Sequence, residues 1–255
     1  MEDLLRATAV AEARHFWFRG LRAFITPLVR HATAGKVRPD ILDCGCGTGA
    51  NLKLLGRFGR AFGLDLAAVG LQIGREAGRK AMARASVTAI PFPSESFDVV
   101  TSLDVLYSLD EREERAAVSE MYRVLRRGGF LIVNVAAMPG LIGDHSVLAR
   151  ERRRYTRRAL QTLLEDGGFK VVRLTYTNAS LFLPLAGVRA YQRWRGLSEE
   201  GEAHREITVP AAPINAAMSG LLLLESLWLR RFDEPFGSSL LCLAKKSRDL
   251  DRPKQ

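Results

Sequence analysis

Apolar and polar positions along this chain fall into repeating strand and helix units. Ile41 and Leu42 end a short apolar run that closes on Asp43 and enters Cys44-Gly45-Cys46-Gly47-Thr48-Gly49. Residues 51–58 then carry apolar side chains at helical spacing. A second apolar run, 61–64, stops at Asp65. Residues 99–106 read as a further strand with its following turn, and residues 120–133 as a helix, a Gly128-Gly129 turn and another strand. The alternation continues to Asn134 and predicts five parallel strands. Met138-Pro139-Gly140 breaks it, and residues 141–155 form an insertion. Thr156 then caps a helix that ends near Gly167-Gly168. Residues 170–176 and 238–245 read as the last two strands, with a long excursion between them. The predicted fold is α/β, a sheet of five parallel strands followed by two further strands. A helical insertion lies between the last two strands. The parts are an N-terminal helical cap (1–34, with a kink or restart near Pro27), a core (35–177), an apolar and basic lobe (178–235), and a final strand with a polar tail (236–255).

The sequence strand, glycine turn, helix, strand, acid describes a nucleoside-binding half of a doubly wound sheet. Glycines let the backbone approach a ligand, and a carboxylate at Asp65 can accept from two ribose hydroxyls. Two cofactor types fit. Gly45-x-Gly47-x-x-Ala50 satisfies the dinucleotide fingerprint, whose third glycine position tolerates alanine. The order Asp43-x-Gly45-x-Gly47-x-Gly49 is more specific, and it resembles the first motif of the class I S-adenosylmethionine-dependent methyltransferases.

The resemblance extends along the chain. Residues 85–98 resemble the family's adenine loop, 99–106 its fourth strand and turn, and 120–133 its helix, turn and fifth strand. His15-Phe-Trp-Phe-Arg19, His145 with Arg153-Arg154-Tyr155, Gly167-Gly-Phe169 and residues 235–240 resemble a bacterial subgroup found beside glycan and lipid biosynthesis functions. The resemblance implies a seven-stranded Rossmann-like methyltransferase sheet whose sixth and seventh strands form an antiparallel edge hairpin, S-adenosylmethionine as cofactor, and methyl transfer to a small-molecule or lipid-linked O, N or C acceptor. It implies cofactor contacts from Asp43, Gly45, Cys46, Gly47, Asn51, Asp65, Leu66, Ser86, Val87 and Leu103, with Arg19 reaching the cofactor carboxylate. Three departures stand out. Tyr107-Ser108 replaces the common Glu-His after strand four, Ser86 replaces the adenine-loop aspartate, and Ser146 follows His145 where aspartate is frequent.

A hydroxyl acceptor needs a base, whereas an amine or stabilised carbanion needs less help. His145, on the insertion after strand five, is the first candidate. Tyr155 and Tyr107 follow as groups that orient the acceptor.

Charge and composition add three points. Lys and Arg outnumber Asp and Glu by 38 to 28, a formal charge of +10. Six arginines crowd positions 150–158, either as a solvated face or as an attraction for anions. Few aromatics alternate with them, so nucleic acid is disfavoured, although a nucleic-acid or protein methyltransferase and a non-catalytic cofactor binder stay open. Three cysteines are too few for a disulfide framework. Cys44-x-Cys46 has no second pair, so no metal is expected. With no signal-peptide core at the N-terminus, a cytoplasmic protein is expected. The 178–235 excursion, rich in Leu and Trp and edged by arginines, reads either as a pocket lid or as a lobe lying on an anionic membrane surface. Oligomeric state is left open.

Overall fold

A computed structural model describes residues 9–148, 151–197 and 208–247. Strands β1 (Asp40–Cys44), β2 (Arg60–Asp65), β3 (Met82–Arg84), β4 (Phe97–Leu103), β5 (Leu125–Ala136), β6 (Phe169–Thr177) and β7 (Ser239–Lys246) form one sheet. Its order is β3-β2-β1-β4-β5-β7-β6. The first five strands are parallel, and β7 runs antiparallel to both β5 and β6. This is the expected Rossmann-like sheet of seven strands. Its helices are α1 (Phe16–Thr33), α2 (Leu52–Leu55), α3 (Ala68–Glu76), α4 (Glu111–Val124), α5 (Asp144–Leu148), α6 (Arg157–Asp166), α7 (Phe182–Arg195) and α8 (Ala212–Trp228).

Side chains alternate across the strands, so each strand feeds two cores. Leu42, Cys44, Leu131, Val133, Leu240 and Cys242 face one side, against Val118 and Met121 of α4 and Leu160 and Leu164 of α6. Ile41, Val99, Ile132, Leu241 and Leu243 face the other, against Phe24, Ile25 and Leu28 of α1. Each fully buried aliphatic side chain contributes roughly 1.5–3 kcal/mol. Cys242 is thus a core residue.

The amino edge of the sheet is fastened by charge. Arg60 grips Asp40 with two bonds, at 2.7 and 2.8 Å, Arg126 reaches both Asp40 and Asp98, and Lys36 donates to Asp98. Burial alone would raise both carboxyls, but these bonds outweigh it and hold them below the usual range.

Several local expectations shift. The helix expected over 51–58 is the single turn α2, because the chain must return at once to β2. A Cβ at Gly59 would strike the Pro39 carbonyl. Helix α1 runs through Pro27 without a break. Helix α6 starts after Thr156, whose side chain accepts from Ala159 N–H as expected.

The insertion between β6 and β7 returns to the front of the chain. Asn215 of α8 accepts from Phe16 N–H at 2.8 Å and donates to the Arg14 carbonyl at 2.8 Å. Leu222 fills the space over Gly20 so closely that a Cβ there would overlap it. Glu225 accepts from the backbone N–H of Ala179 and Ser180 and from the Ser180 hydroxyl. The N-terminal helix and α8 are therefore one packed layer.

Candidate functional site

The strand order reverses direction between β1 and β4, and open α/β sheets bind ligands in the crevice outside the carboxyl ends at such a point. The turn after β1 fills this place. Gly45 and Cys46 donate to the Leu64 carbonyl at 2.8 and 2.9 Å, tying the turn to β2. Gly45, Gly47 and Gly49 have φ of 80°, 55° and 77°. That left-handed backbone, rather than room for a ligand, accounts for two of them: a Cβ at Gly45 would overlap Val105, and one at Gly49 would lie 2.6 Å from Met82 Sδ. Beneath the turn, Gly70 and Gly74 let α3 pack directly on the carbonyls of Gly47 and Thr48.

Asp65 closes the turn. Its two oxygens accept from Gly47 N–H at 2.7 Å and Ala67 N–H at 2.8 Å. Each oxygen keeps a second lone pair, so the carboxylate can hold the turn and still accept from two hydroxyls. Thr48 donates to Glu12 at 2.6 Å, and Arg79 donates to the Thr48 carbonyl at 2.7 Å. Residues ahead of α1 thus cover the outer side of the turn. Burial raises the Glu12 pKa, though Thr48, Arg79 and Arg22 pull it back. Arg22, not Arg19, is the arginine of α1 that reaches this cluster, donating to the Glu12 carbonyl at 2.7 Å. Arg19 is exposed.

Asp43 lies wholly inside. Thr101 donates to its Oδ1 at 2.6 Å, while its Oδ2 and the neighbouring Ser102 Oγ have no hydrogen-bond partner among the described residues. Burial raises the Asp43 pKa to about 6; the Thr101 bond opposes the rise and the Asp65 charge adds to it. Among the other expected contacts, Val87 and Leu103 are buried and Leu66 is exposed. Ser86 Oγ accepts from Thr88 N–H. The Asn51 side chain makes no capping bond. Cys46 is buried, which pushes its thiol pKa up and leaves it unreactive.

One group next to this turn was missed in the sequence. Asp104 follows β4 with φ of 61°, a strained conformation for a residue with a Cβ. Its backbone N–H donates to the Asn134 carbonyl at 2.9 Å, and its carboxylate accepts from the Asn134 side chain at 2.8 Å. Burial raises its pKa to about 7; the Asn134 bond and Arg154 oppose the rise and Glu151 adds to it. The available signal was a carboxylate ending one strand beside an asparagine ending its neighbour, since Leu103 pairs with Asn134.

The three catalytic candidates part company here. Tyr107 is buried among Asp104, Glu151 and Arg154, which couple to its hydroxyl, and burial holds its pKa well above normal. Tyr155 faces away, its hydroxyl donating to Glu114 within the α4–α6 core. That bond and burial both raise its pKa. The geometry corrects its expected role: Tyr155 anchors the insertion rather than facing an acceptor. His145 lies on α5, but its side chain is outside the described part of the structure. Helix α5 borders the cluster through Ser146, 3.5 Å from Arg154.

Among the crowded arginines, Arg152, Arg157 and Arg158 are exposed, as a solvated face requires, whereas Arg153 and Arg154 turn inward. Arg154 is buried in a pair with Glu151 at 2.8 Å and also donates to the carbonyls of Ala137 and Ser238. Arg153 pairs with buried Glu114 at 2.7 Å. Arg150 lies outside the described residues. A small crevice next to this region is lined by Trp17, Asn134, Thr177, Asn178 and Ser239. A surface cavity of about 600 Å³ lies between α4 and α6 on the other face of the sheet, where Glu114, Thr156 and Asp166 line it.

Fold and site together define a doubly wound sheet that binds a nucleoside cofactor without a phosphate cradle. Residues 42–133 match a family described as a methyltransferase domain. A protein of Encephalitozoon cuniculi (strain GB-M1), named provisionally as a methyltransferase, is 32% identical over 165 residues, covering 57% of this chain and 77% of that protein. The chain belongs to the class I S-adenosylmethionine-dependent methyltransferases. A Homo sapiens protein with the provisional name tRNA methyltransferase 9B is 36% identical over 131 residues, 51% of this chain; the match spans only 28% of that protein's length. A chain of the solved complex between the Haloferax volcanii Trm112 methyltransferase activator and its provisionally assigned methyltransferase superposes with a TM-score of 0.60, at 18% identity, covering 98% of this chain and 96% of that one. The family's cofactor is S-adenosylmethionine, and the residues here fit it: the unpartnered Asp43 oxygen and the spare lone pairs of Asp65 lie on either side of the glycine turn.

Proposed function

We propose that this protein transfers the methyl group of S-adenosylmethionine to a small-molecule or lipid-linked acceptor held over Asp104, Asn134 and Tyr107. The observation that carries this reading is the half-buried carboxylate of Asp104 at the carboxyl edge of β4, next to the cofactor turn and fixed by Asn134. When bound, the cofactor supplies a positively charged sulfonium whose methyl is open to in-line attack. The chain's own residues position the partners, exclude water and accept a proton. Holding two reactants in line lowers a bimolecular barrier by roughly 7–11 kcal/mol. A carboxylate with pKa near 7 is well matched to take a proton from a hydroxyl acceptor at neutral pH. Asn134 donates to it, which fixes its orientation. Buried Thr177 Oγ1 and Ser238 Oγ have no partner among the described residues and supply further polar contacts for an acceptor.

Methyl transfer from labelled cofactor into fractionated metabolite, lipid and tRNA pools tests this. Label in the metabolite or lipid pool supports the reading. Label confined to tRNA favours the second reading, which rests on the tRNA methyltransferase relative. Against that reading, Arg153 and Arg154 are turned inward onto Glu114 and Glu151 instead of toward a nucleic-acid backbone. No label in any pool, with cofactor still bound, would leave a non-catalytic binder. For Asp104→Asn, kcat should fall by about 10²–10⁴-fold. The acidic limb of the pH profile should disappear, and cofactor affinity should change little. Unchanged kcat would remove Asp104 from the reaction.

A further inference from the structure

The two described helices of the β6–β7 insertion are built inside out. On α8 the buried positions are Asn215, Ser219, Leu222, Glu225 and Ser226, mostly polar. The outward positions are Ile214, Leu221, Leu223, Leu224, Leu227 and Trp228, with Leu224 65% exposed. On α7 the buried residues are Arg189 and Gln192. Leu183, Val188, Tyr191 and Trp194 face outward, Leu183 at 78% and Trp194 at 82% exposure.

Neither helix can be rolled over to hide its apolar side. Asn215 is fixed to the backbone on either side of His15, and Glu225 to the start of the insertion. Helix α7 is held to the segment after β5 by a bond from Asp144 N–H to Gln192 and by the Arg195–Asp144 ion pair. Turning either helix would bury apolar groups but strand these polar ones, at a cost of roughly 1–3 kcal/mol each.

The two helices come near each other at their ends. Glu225 of α8 holds Ala179 and Ser180 just ahead of α7, the rings of Phe182 and Phe236 meet there at 5.3 Å, and Trp228 at the end of α8 packs on Phe232 at 4.4 Å. So many large apolar side chains exposed on two neighbouring helices are uncommon on a soluble monomer and mark an interaction site.

From these features we infer that the α7–α8 face docks on an anionic lipid bilayer. Three observations choose the occupant. Arg230 and Arg231 are exposed at the end of α8, and Arg193 is exposed on α7, while the neighbouring Asp233 is occupied by Arg173. Their positive charge complements anionic headgroups, whereas a second copy with the same charge would be repelled. Trp194, Tyr191 and Trp228 are aromatic side chains with a polar atom, suited to the headgroup level. Among the described residues no helix is long and apolar enough to cross a membrane, so these helices lie in the plane of the interface. The face also has a functional place: β6 ends and β7 begins at the carboxyl edge of the sheet, since Thr177 and Ala136 both pair with Ser239. Docking would bring the cofactor edge close to lipid-linked molecules.

The inference stands apart from methyl transfer, because binding is measured without cofactor or acceptor. The full chain is sedimented with vesicles of phosphatidylcholine alone or mixed equally with phosphatidylglycerol. The wild type should pellet with the mixed vesicles and much less with the neutral ones. Leu224→Glu combined with Trp228→Glu should weaken binding to mixed vesicles at least tenfold. Arg230→Glu combined with Arg231→Glu should remove most of the preference for phosphatidylglycerol, again by tenfold or more. All these side chains are exposed, so both variants should keep the wild-type thermal transition. Wild type that pellets with neither vesicle would overturn the inference. So would wild type that is a dimer in ultracentrifugation and becomes a monomer in the Leu224→Glu/Trp228→Glu variant, since a second copy would then cover the face.

Discussion

Two carboxyls, buried Asp43 and half-buried Asp104, carry much of this site's chemistry, and both hold their protons more tightly in the folded chain than in an unfolded one. The pKa is raised to about 6 for Asp43 and about 7 for Asp104, against about 3.9 unfolded. A raised folded pKa gives stability that is fully present below pH 4 and is lost as pH rises through the folded values. Between about pH 4 and 7 the cofactor-free protein should therefore lose stability from these groups, by an amount on the order of a few kcal/mol. Asp104→Asn should flatten that slope in denaturant titrations at a series of pH values; an unaltered slope would mean Asp104 is not the group responsible. Asp65 differs because its oxygens are already engaged by backbone. Asp65→Ala should lose most cofactor affinity in calorimetry and also loosen the glycine turn, so its thermal transition without cofactor should drop. Unchanged affinity would refute the carboxylate's expected role. At this scale the glycine turn and Asp65 were legible because few residue types permit such a backbone. Asp104 was not, since an acid after a strand looks like any turn residue until its neighbour from β5 is in register.

Among the elements, strands were readable and helix faces were not. Alternation fixes which side of a strand meets which core, as Ile132 and Val133 illustrate. A helix with a polar arc and an apolar arc normally buries the apolar one, and α8 reverses this. The leucines of 214–229 were visible in the sequence, whereas the partners that draw Asn215 and Glu225 inward, at positions 14–16 and 179–180, are distant along the chain. Arg154 and Glu151 show the same difficulty, pairing in an irregular segment where spacing carries no information. Leu222 is the apolar exception on the inward side of α8, fully buried over Gly20. Leu222→Ala should cost about 2–5 kcal/mol in chemical denaturation. The same change at exposed Leu224 should cost well under 1 kcal/mol. Equal costs would contradict the inside-out assignment of this helix.

For the molecule as a whole, the contacts between α1 and α8 join chain positions 199 apart, from Phe16 to Asn215. Such pairing is slow, because loop closure over that distance must precede any gain from contact. During synthesis the opening of α1 leaves the ribosome long before its partner does. Its first turn must wait, half-finished, while the strands assemble behind it. Pulse-labelled hydrogen exchange during refolding should then find the Phe16 amide gaining protection together with those of β7, after β1 and β4 are already shielded. Early protection at Phe16 would show that another contact closes the turn first. A protein arranged this way completes its beginning only when a late segment arrives, so a ribosome stalled before residue 215 would carry a chain whose leading helix can lie on the sheet but lacks the Asn215 side chain that closes its first turn.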